Sequence, residues 1–174
     1  IGFCLVGSEM CIRDSEAQSA SRAGDALGED TLNTAYTQLA QRYDTRFGGF
    51  GQAPKFPIPH QLRFLLRYHK RTGNEAALNM VEHTLREMRK GGIWDHVGYG
   101  FHRYSTDRVW LLPHFEKMLY DQALMTMAYV EAWQITQNDE YRRTAQEILR
   151  YVTRDMTSPE GGFYSAEDAD SEGE

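Results

Sequence analysis

The sequence predicts an all-α protein whose helical hairpins are arranged as part of a toroid. Three observations predict it. Apolar residues recur every three to four positions over five separate stretches, loops carrying Gly-Gly follow three of them, and one stretch is apolar on every side, as in a helix surrounded by others.

In the first stretch, beginning at Leu32, Ala35, Tyr36, Leu39, Ala40, Tyr43 and Phe47 share one helix face, with Asp30 or Thr31 available as N-cap. Prolines 54, 57 and 59 forbid a helix before about Pro59, so a second runs through Leu62–Tyr68 and stops at Gly73. Asn74 caps a third, whose stripe of Ala77, Leu78, Val81, Leu85 and Met88 ends at Gly91-Gly92. Phe115–Thr136 is apolar all round from Ala123 onward and reads as an inner helix. After Asn138-Asp139, a fifth helix gathers Tyr141, Ala145, Ile148, Leu149, Val152 and Met156 on one side, charges on the other, and ends before Pro159.

The loops repeat. Arg46-Phe47-Gly48-Gly49-Phe50, Lys90-Gly91-Gly92-Ile93 and Glu160-Gly161-Gly162-Phe163 each follow an amphipathic helix, at intervals of 43 and 70 residues between the second glycines. This spacing fits one helix hairpin per repeat, the second carrying an insertion from Trp94 to Pro113. Either the glycines only end helices, or they admit close approach of backbone or ligand. A toroid of such hairpins would bring these loops to one face.

Composition narrows the function classes. Five of the 25 acids lie in the last eight residues, and setting them aside leaves 20 acids against 19 bases, so no basic surface for nucleic acid or an anionic membrane is expected. Cys4 and Cys11 form no Cys-x-x-Cys pair, so neither a disulfide framework nor a thiolate zinc site follows. Residues 1–15 lack a basic start and a continuous apolar run; they read as a non-native leader resembling translated adapter sequence. Residues 16–29 read as a linker and 30–174 as a partial toroid domain cut short at its C-terminus. No metal motif, nucleophile elbow, Walker loop or dinucleotide fingerprint is present, and no cofactor is expected.

Three segments carry the candidate chemistry. The first, Trp94–Ser105, is rich in glycine and aromatics. Trp94, Tyr99, Tyr104 and Trp110 suit stacking on sugar rings, while His96, His102, Asp95 and Arg103 suit hydroxyls or carbonyls, the two histidines standing with His114 as candidate acid/base groups. The alternative is an aromatic plug. In the second, Pro113–Gln122, His114, Lys117 and Asp121 fall within a ~60° sector if the segment is helical, with Glu116 on another side. There His114 would shuttle protons, Lys117 hold an oxyanion and Asp121 orient either. The alternative is a Lys117–Asp121 surface pair with His114 capping the helix. In the third, Glu167, Asp168 and Asp170 are candidate carboxylates for glycoside hydrolysis. Asp168, Asp170, Glu172 and Gly173 also match part of a calcium loop, and a plain acidic run is the remaining alternative.

Phe47-Gly-Gly-Phe-Gly-Gln-Ala-Pro-Lys-Phe-Pro57, Gly91-Gly-Ile-Trp-Asp-His96, Gly100-Phe-His-Arg-Tyr-Ser-Thr-Asp107, Trp110, Pro113-His-Phe-Glu-Lys-Met-Leu-Tyr-Asp-Gln122 and Gly161-Gly-Phe-Tyr-Ser-Ala-Glu-Asp-Ala-Asp-Ser171 resemble the thioredoxin-domain-containing, spermatogenesis-associated-protein-like family. The resemblance implies a cytoplasmic protein with a thioredoxin-like domain followed by a six-hairpin, glycosidase-type toroid akin to sugar 2-epimerases. It also implies a sugar-like small molecule as ligand, with Lys55 added to the substrate-contacting residues. Tyr99 departs from this pattern, standing where another glycine is expected. The expectation taken to the structure is an epimerase- or glycosidase-like carbohydrate site; the rival is a non-catalytic toroid that presents a protein or peptide to the thioredoxin-like domain.

Overall fold

The computed structural model describes residues 28–170. The leader, Cys4, Cys11, most of the linker and the Glu172-Gly173 end of the calcium pattern lie outside them. The chain divides into two compact units, residues 1–34 and 35–174. Of the first, the described part is Gly28 and the opening of a helix. The second holds all that follows.

Five helices are described: α1 (Glu29–Arg42), α2 (Pro59–Thr72), α3 (Glu75–Lys90), α4 (Leu119–Thr136) and α5 (Asp139–Asp155). Four two-residue strands accompany them: β1 (Tyr104–Ser105), β2 (Pro113–His114), β3 (Lys117–Met118) and β4 (Ala166–Glu167). The inner helices α2 and α4 pack on each other, with α3 and α5 outside them, giving part of an α/α toroid and no closed barrel. Cap chemistry sets the boundaries: Asn74 accepts from Ala77 N–H at the start of α3, Asn138 from Glu140 N–H at the start of α5, and Gly73 ends α2 left-handed at φ 73°.

Two helices differ from the sequence reading. α1 stops at Arg42, not Phe47, because the Asp44 carboxylate takes the N–H groups of Arg46 and Phe47 and folds the chain into a turn. α4 begins at Leu119, not Phe115. Pro113-His114 pairs with Tyr104-Ser105, and Lys117-Met118 with Ala166-Glu167, so this segment is extended. His114 and Lys117 therefore never share a helix face with Asp121, and Met118, not His114, caps α4. On α5, Leu149 faces out at 50% exposure while Tyr151, absent from the expected stripe, is buried.

The long connections 43–58, 91–118 and 156–170 each follow an outer helix, whereas two-residue turns join the inner helices to the next outer ones. The long loops touch edge to edge: Lys55 bridges Ser105, and Lys117 and Met118 pair with Glu167 and Ala166. They share one rim.

The loop repeat has a different register from the one the Gly-Gly pairs suggested. Bridges Tyr43↔Phe50, Trp94↔Phe101 and Thr157↔Phe163 close three corresponding turns, the third one residue shorter than the other two. Gly49 therefore corresponds to Gly100 and Gly162, and Asp44 to Asp95 and Ser158. Tyr99 occupies the place of Gly48 and adopts the same left-handed backbone, φ 70° against 67°, which disfavours any side chain. Gly91 and Gly92 serve another purpose. A Cβ on them would lie 2.4 Å from the Trp110 carbonyl oxygen and 2.0 Å from that of Leu111, so they admit a crossing strand of backbone and no ligand.

Candidate functional site

Each of the first two turns is locked by an aspartate, a lysine from further along the same loop, and an aromatic ring against its last glycine. In the first, Lys55, 0% exposed, donates from Nζ to Asp44 Oδ2 at 2.9 Å and to the Arg108 carbonyl at 3.1 Å. Arg108 closes on both oxygens of Asp44 at 2.7 and 3.0 Å. Burial alone would raise the Asp44 carboxyl, but hydrogen bonds from Arg108, Lys55 and two backbone N–H groups hold it well below the usual carboxylate range. Burial likewise lowers the Lys55 ammonium, against the pull of Asp44.

In the second turn, Lys117 Nζ donates to Asp95 Oδ2 at 2.7 Å and to the Tyr99 carbonyl at 3.1 Å, and sits 4.4 Å from the centre of the Tyr151 ring. Asp95 also accepts from Val97 and Gly98 N–H. Burial opposes this, but the bonds from Lys117 and the backbone bring its carboxyl down to about 2. The Tyr151 hydroxyl donates to Glu167 Oε2, and burial with that carboxylate raises the phenol above its ordinary value. Gln122 clamps the loop from α4, accepting from Phe101 N–H at 2.8 Å and donating to its carbonyl at 2.7 Å.

These contacts reassign several sequence-selected residues. Lys55 and Lys117 are buried cations neutralised within the protein, so neither is free to hold a substrate oxyanion, and Lys117 forms no surface pair with Asp121. Trp94 and Trp110, 1% and 0% exposed, present no face to a ring. Trp94 packs on Phe101 and under Arg89, while Trp110 lies beneath Lys55 and donates Nε1–H to the Phe47 carbonyl.

What faces outward is a second group. The rings of Phe56, Tyr104 and His114 form a column, with centroids 4.9 and 5.0 Å apart. Cross-strand pairing of Tyr104 with His114 sets the upper contact. Arg103 Nη1 donates to Glu116 Oε2 at 2.7 Å. His102 is buried, its Nδ1 3.0 Å from the Phe115 carbonyl, and burial lowers the imidazole below its ordinary value despite that contact. Asp121, on the first turn of α4, is 8% exposed, and burial raises its carboxyl to about 6 against the nearby Arg103.

Other candidates do not join these groups. His96 is exposed and bonded to the Gly91 carbonyl, lining a cleft of about 400 Å³ between α3 and α5 that includes neither His102 nor His114. Asp168 and Asp170 are exposed, Asp168 accepting from Asp170 N–H. No cluster of three or more metal-capable side chains occurs among the described residues. No helix among them is long and apolar enough to cross a membrane. Sequence reasoning missed Asp44, Arg108, Gln122 and Tyr151. Aligning Tyr43-Asp44 with Trp94-Asp95 and Gly49-Phe50 with Gly100-Phe101 exposes Asp44, but nothing local marks Tyr151 or Gln122.

Asp121 has a testable consequence. Its folded carboxyl holds a proton to higher pH than the unfolded chain does, so stability falls as pH rises from about 4 to about 6 and stays lower above that. Asp121→Asn will remove that fall, about 2–3 kcal/mol, giving a protein more stable than wild type at pH 7. Urea midpoints at pH 4 and pH 7 check it; equal pH dependence in the two proteins refutes it.

No family model matches the chain. It is similar to part of spermatogenesis-associated protein 20. The mouse protein is 53% identical over 172 residues, covering 96% of this chain and 21% of the relative, and the human protein is 53% identical over 143 residues, covering 80% and 18%. An uncharacterised Caenorhabditis elegans protein is 39% identical, covering 88% and 22%. The chain thus spans about a fifth of the length of the curated relatives it matches. Among solved structures, the cellobiose 2-epimerase of Bacillus thermoamylovorans superimposes with a TM-score of 0.69 at 19% identity, over 82% of this chain and 42% of that one. An unsaturated glucuronyl hydrolase specific for heparin gives 0.63 at 13%, over 78% and 41%. The fold is therefore the epimerase- and glycosidase-like α/α toroid.

Proposed function

We propose that this region forms part of the wall of a carbohydrate site in an epimerase- or glycosidase-like protein whose intact chain also carries a thioredoxin-like domain. The observation that carries the reading is the Phe56–Tyr104–His114 column, flanked by the Arg103–Glu116 pair, on the rim where the loops meet. An aromatic face beside charged hydrogen-bonding groups suits a sugar ring, whose C–H faces stack while its hydroxyls take polar partners. His114 is the acid/base candidate. His102 and Asp121 are buried, and Glu167 closes the neighbouring turn.

The test is calorimetric titration of the intact protein with cellobiose and with mannose. Binding of either sugar is expected, weakened about tenfold or more by His114→Ala, in line with the loss of one well-placed polar contact. Failure of the wild type to bind both sugars sinks the reading. The rival, a peptide-docking toroid, draws on the exposed Val109, Leu111, Leu112 and Phe115 of the second loop. It would be favoured by a protein partner retained in a His114→Ala variant but lost when Leu111 and Leu112 are both changed to serine.

A further inference from the structure

Beside the hairpin β1–β2, one contact within the proposed carbohydrate wall has a role that reading leaves open. His114 is half-exposed, its side chain 41% accessible, yet its Nδ1 is covered and has no hydrogen-bond partner among the described residues. Buried ring nitrogens in folded proteins are almost always satisfied, so an unpaired one asks for an explanation. Its neighbouring acceptor is Glu116 Oε2, 3.8 Å away. That same oxygen receives the 2.7 Å bond from Arg103. The backbone fixes all three, because Arg103 N–H donates to the Glu116 carbonyl at 2.7 Å while Tyr104 and His114 lie directly opposite each other.

A separation of 3.8 Å is too long for a hydrogen bond. Opposite charges attract across that distance without a formed bond, so a proton on the ring nitrogen nearer the Glu116 carboxylate is favoured even before substrate binds. Closing this gap takes a movement of about 1 Å, within side-chain torsion. Among the described residues Nε2 has no hydrogen-bond partner and is not one of the covered unpaired atoms, so it lies on the more accessible edge of the ring.

We propose that Arg103, Glu116 and His114 form a relay in which Glu116 is a positioning residue rather than a substrate contact. Glu116 fixes the proton of neutral His114 on Nδ1, leaving the Nε2 lone pair directed outward as the base. When Nε2 takes a proton from the substrate, the imidazolium that forms is faced by the Glu116 carboxylate, which Arg103 holds in place. Tyr104, stacked on the ring, restricts its rotation. The proposal rests on His114 being the acid/base group of the carbohydrate reading, but its structural core is tested without any sugar.

The experiment is long-range proton–nitrogen NMR of the intact protein labelled at histidine, with His114 assigned from a His114→Asn variant. The wild type is expected to carry its neutral-form proton on Nδ1. Glu116→Gln should shift the population toward the Nε2-protonated tautomer and slow carbethoxylation of His114 by diethyl pyrocarbonate about tenfold, as loss of an orienting carboxylate does elsewhere. Glu116→Asp is expected to restore part of both signals. A wild-type proton on Nε2, or a tautomer unmoved by Glu116→Gln, overturns the relay; should that variant not fold, the wild-type tautomer alone decides. A wild type with the Nδ1 proton that binds no sugar would keep the relay and remove the carbohydrate reading.

Discussion

Asp44→Ala will cost about 3–5 kcal/mol of stability and lower Tm by about 10 °C, a larger loss than any other carboxylate on the rim will show. The carboxylate is 1% exposed and faces a lysine at 0%, so its removal strands a cation where water cannot reach it. Two backbone N–H groups lose their acceptor in the same step, which loosens the turn that ends α1. Asp95 stands in the equivalent turn, but its side chain is 24% exposed, so Asp95→Ala will cost less. The double variant Asp44→Ala/Lys55→Met separates burial of a charge from loss of an attraction, since a methionine fills the lysine's space without its charge. It should recover most of the stability, and Arg108, 44% exposed, can turn to solvent. Urea unfolding of the three variants checks this; a loss under about 1 kcal/mol for Asp44→Ala would show the pair to be an ordinary surface contact.

Why the helices were legible and the rim was not follows from the range of the interactions that build each. Asn74, Gly73 and Asn138 act on backbone within four residues, and the apolar stripe of α3 is a property of the helix itself, so local sequence is enough. Lys117 was misplaced because the decisive contacts lie far along the chain. Its strand pairs with Glu167, its ammonium with Asp95 and its face with Tyr151, and these override a segment that satisfies helical spacing. The aromatic residues show the same effect. Composition brought Trp94, Tyr99, Tyr104 and Trp110 together as stacking platforms, but only Tyr104 lies in the outward-facing ring column, because Trp94 is buried against Tyr99 and Phe101 and Trp110 fills the space beside Gly49 and Gly91. The Gly-Gly repeat was visible; its phase required knowing that Trp94↔Phe101, and not Gly91-Gly92, closes the second turn.

Trp110→Ala should match Asp44→Ala in size, about 3–5 kcal/mol, for a different reason. The indole is 0% exposed and joins two loops that are otherwise tied by little regular structure. A Cβ on Gly49 would sit 2.6 Å from its ring, and one on Gly91 would sit 2.8 Å from its own Cβ, so both glycines are shaped to receive it. Its N–H satisfies the Phe47 carbonyl at 2.8 Å, and its ring carries the Lys55 ammonium at 5.0 Å. Trp110 tolerates a φ of 65°, a conformation that costs about 1–2 kcal/mol for a residue with a side chain, so packing must exceed that cost. Trp110→Phe keeps much of the volume but orphans the Phe47 carbonyl, and should fall between wild type and alanine. If the ring acted instead as a sugar platform, phenylalanine would preserve stability and ligand binding together while alanine removed only binding. Thermal unfolding and sugar titration of the same three proteins separate the cases: a stable Trp110→Ala protein would mean the indole is no part of the core.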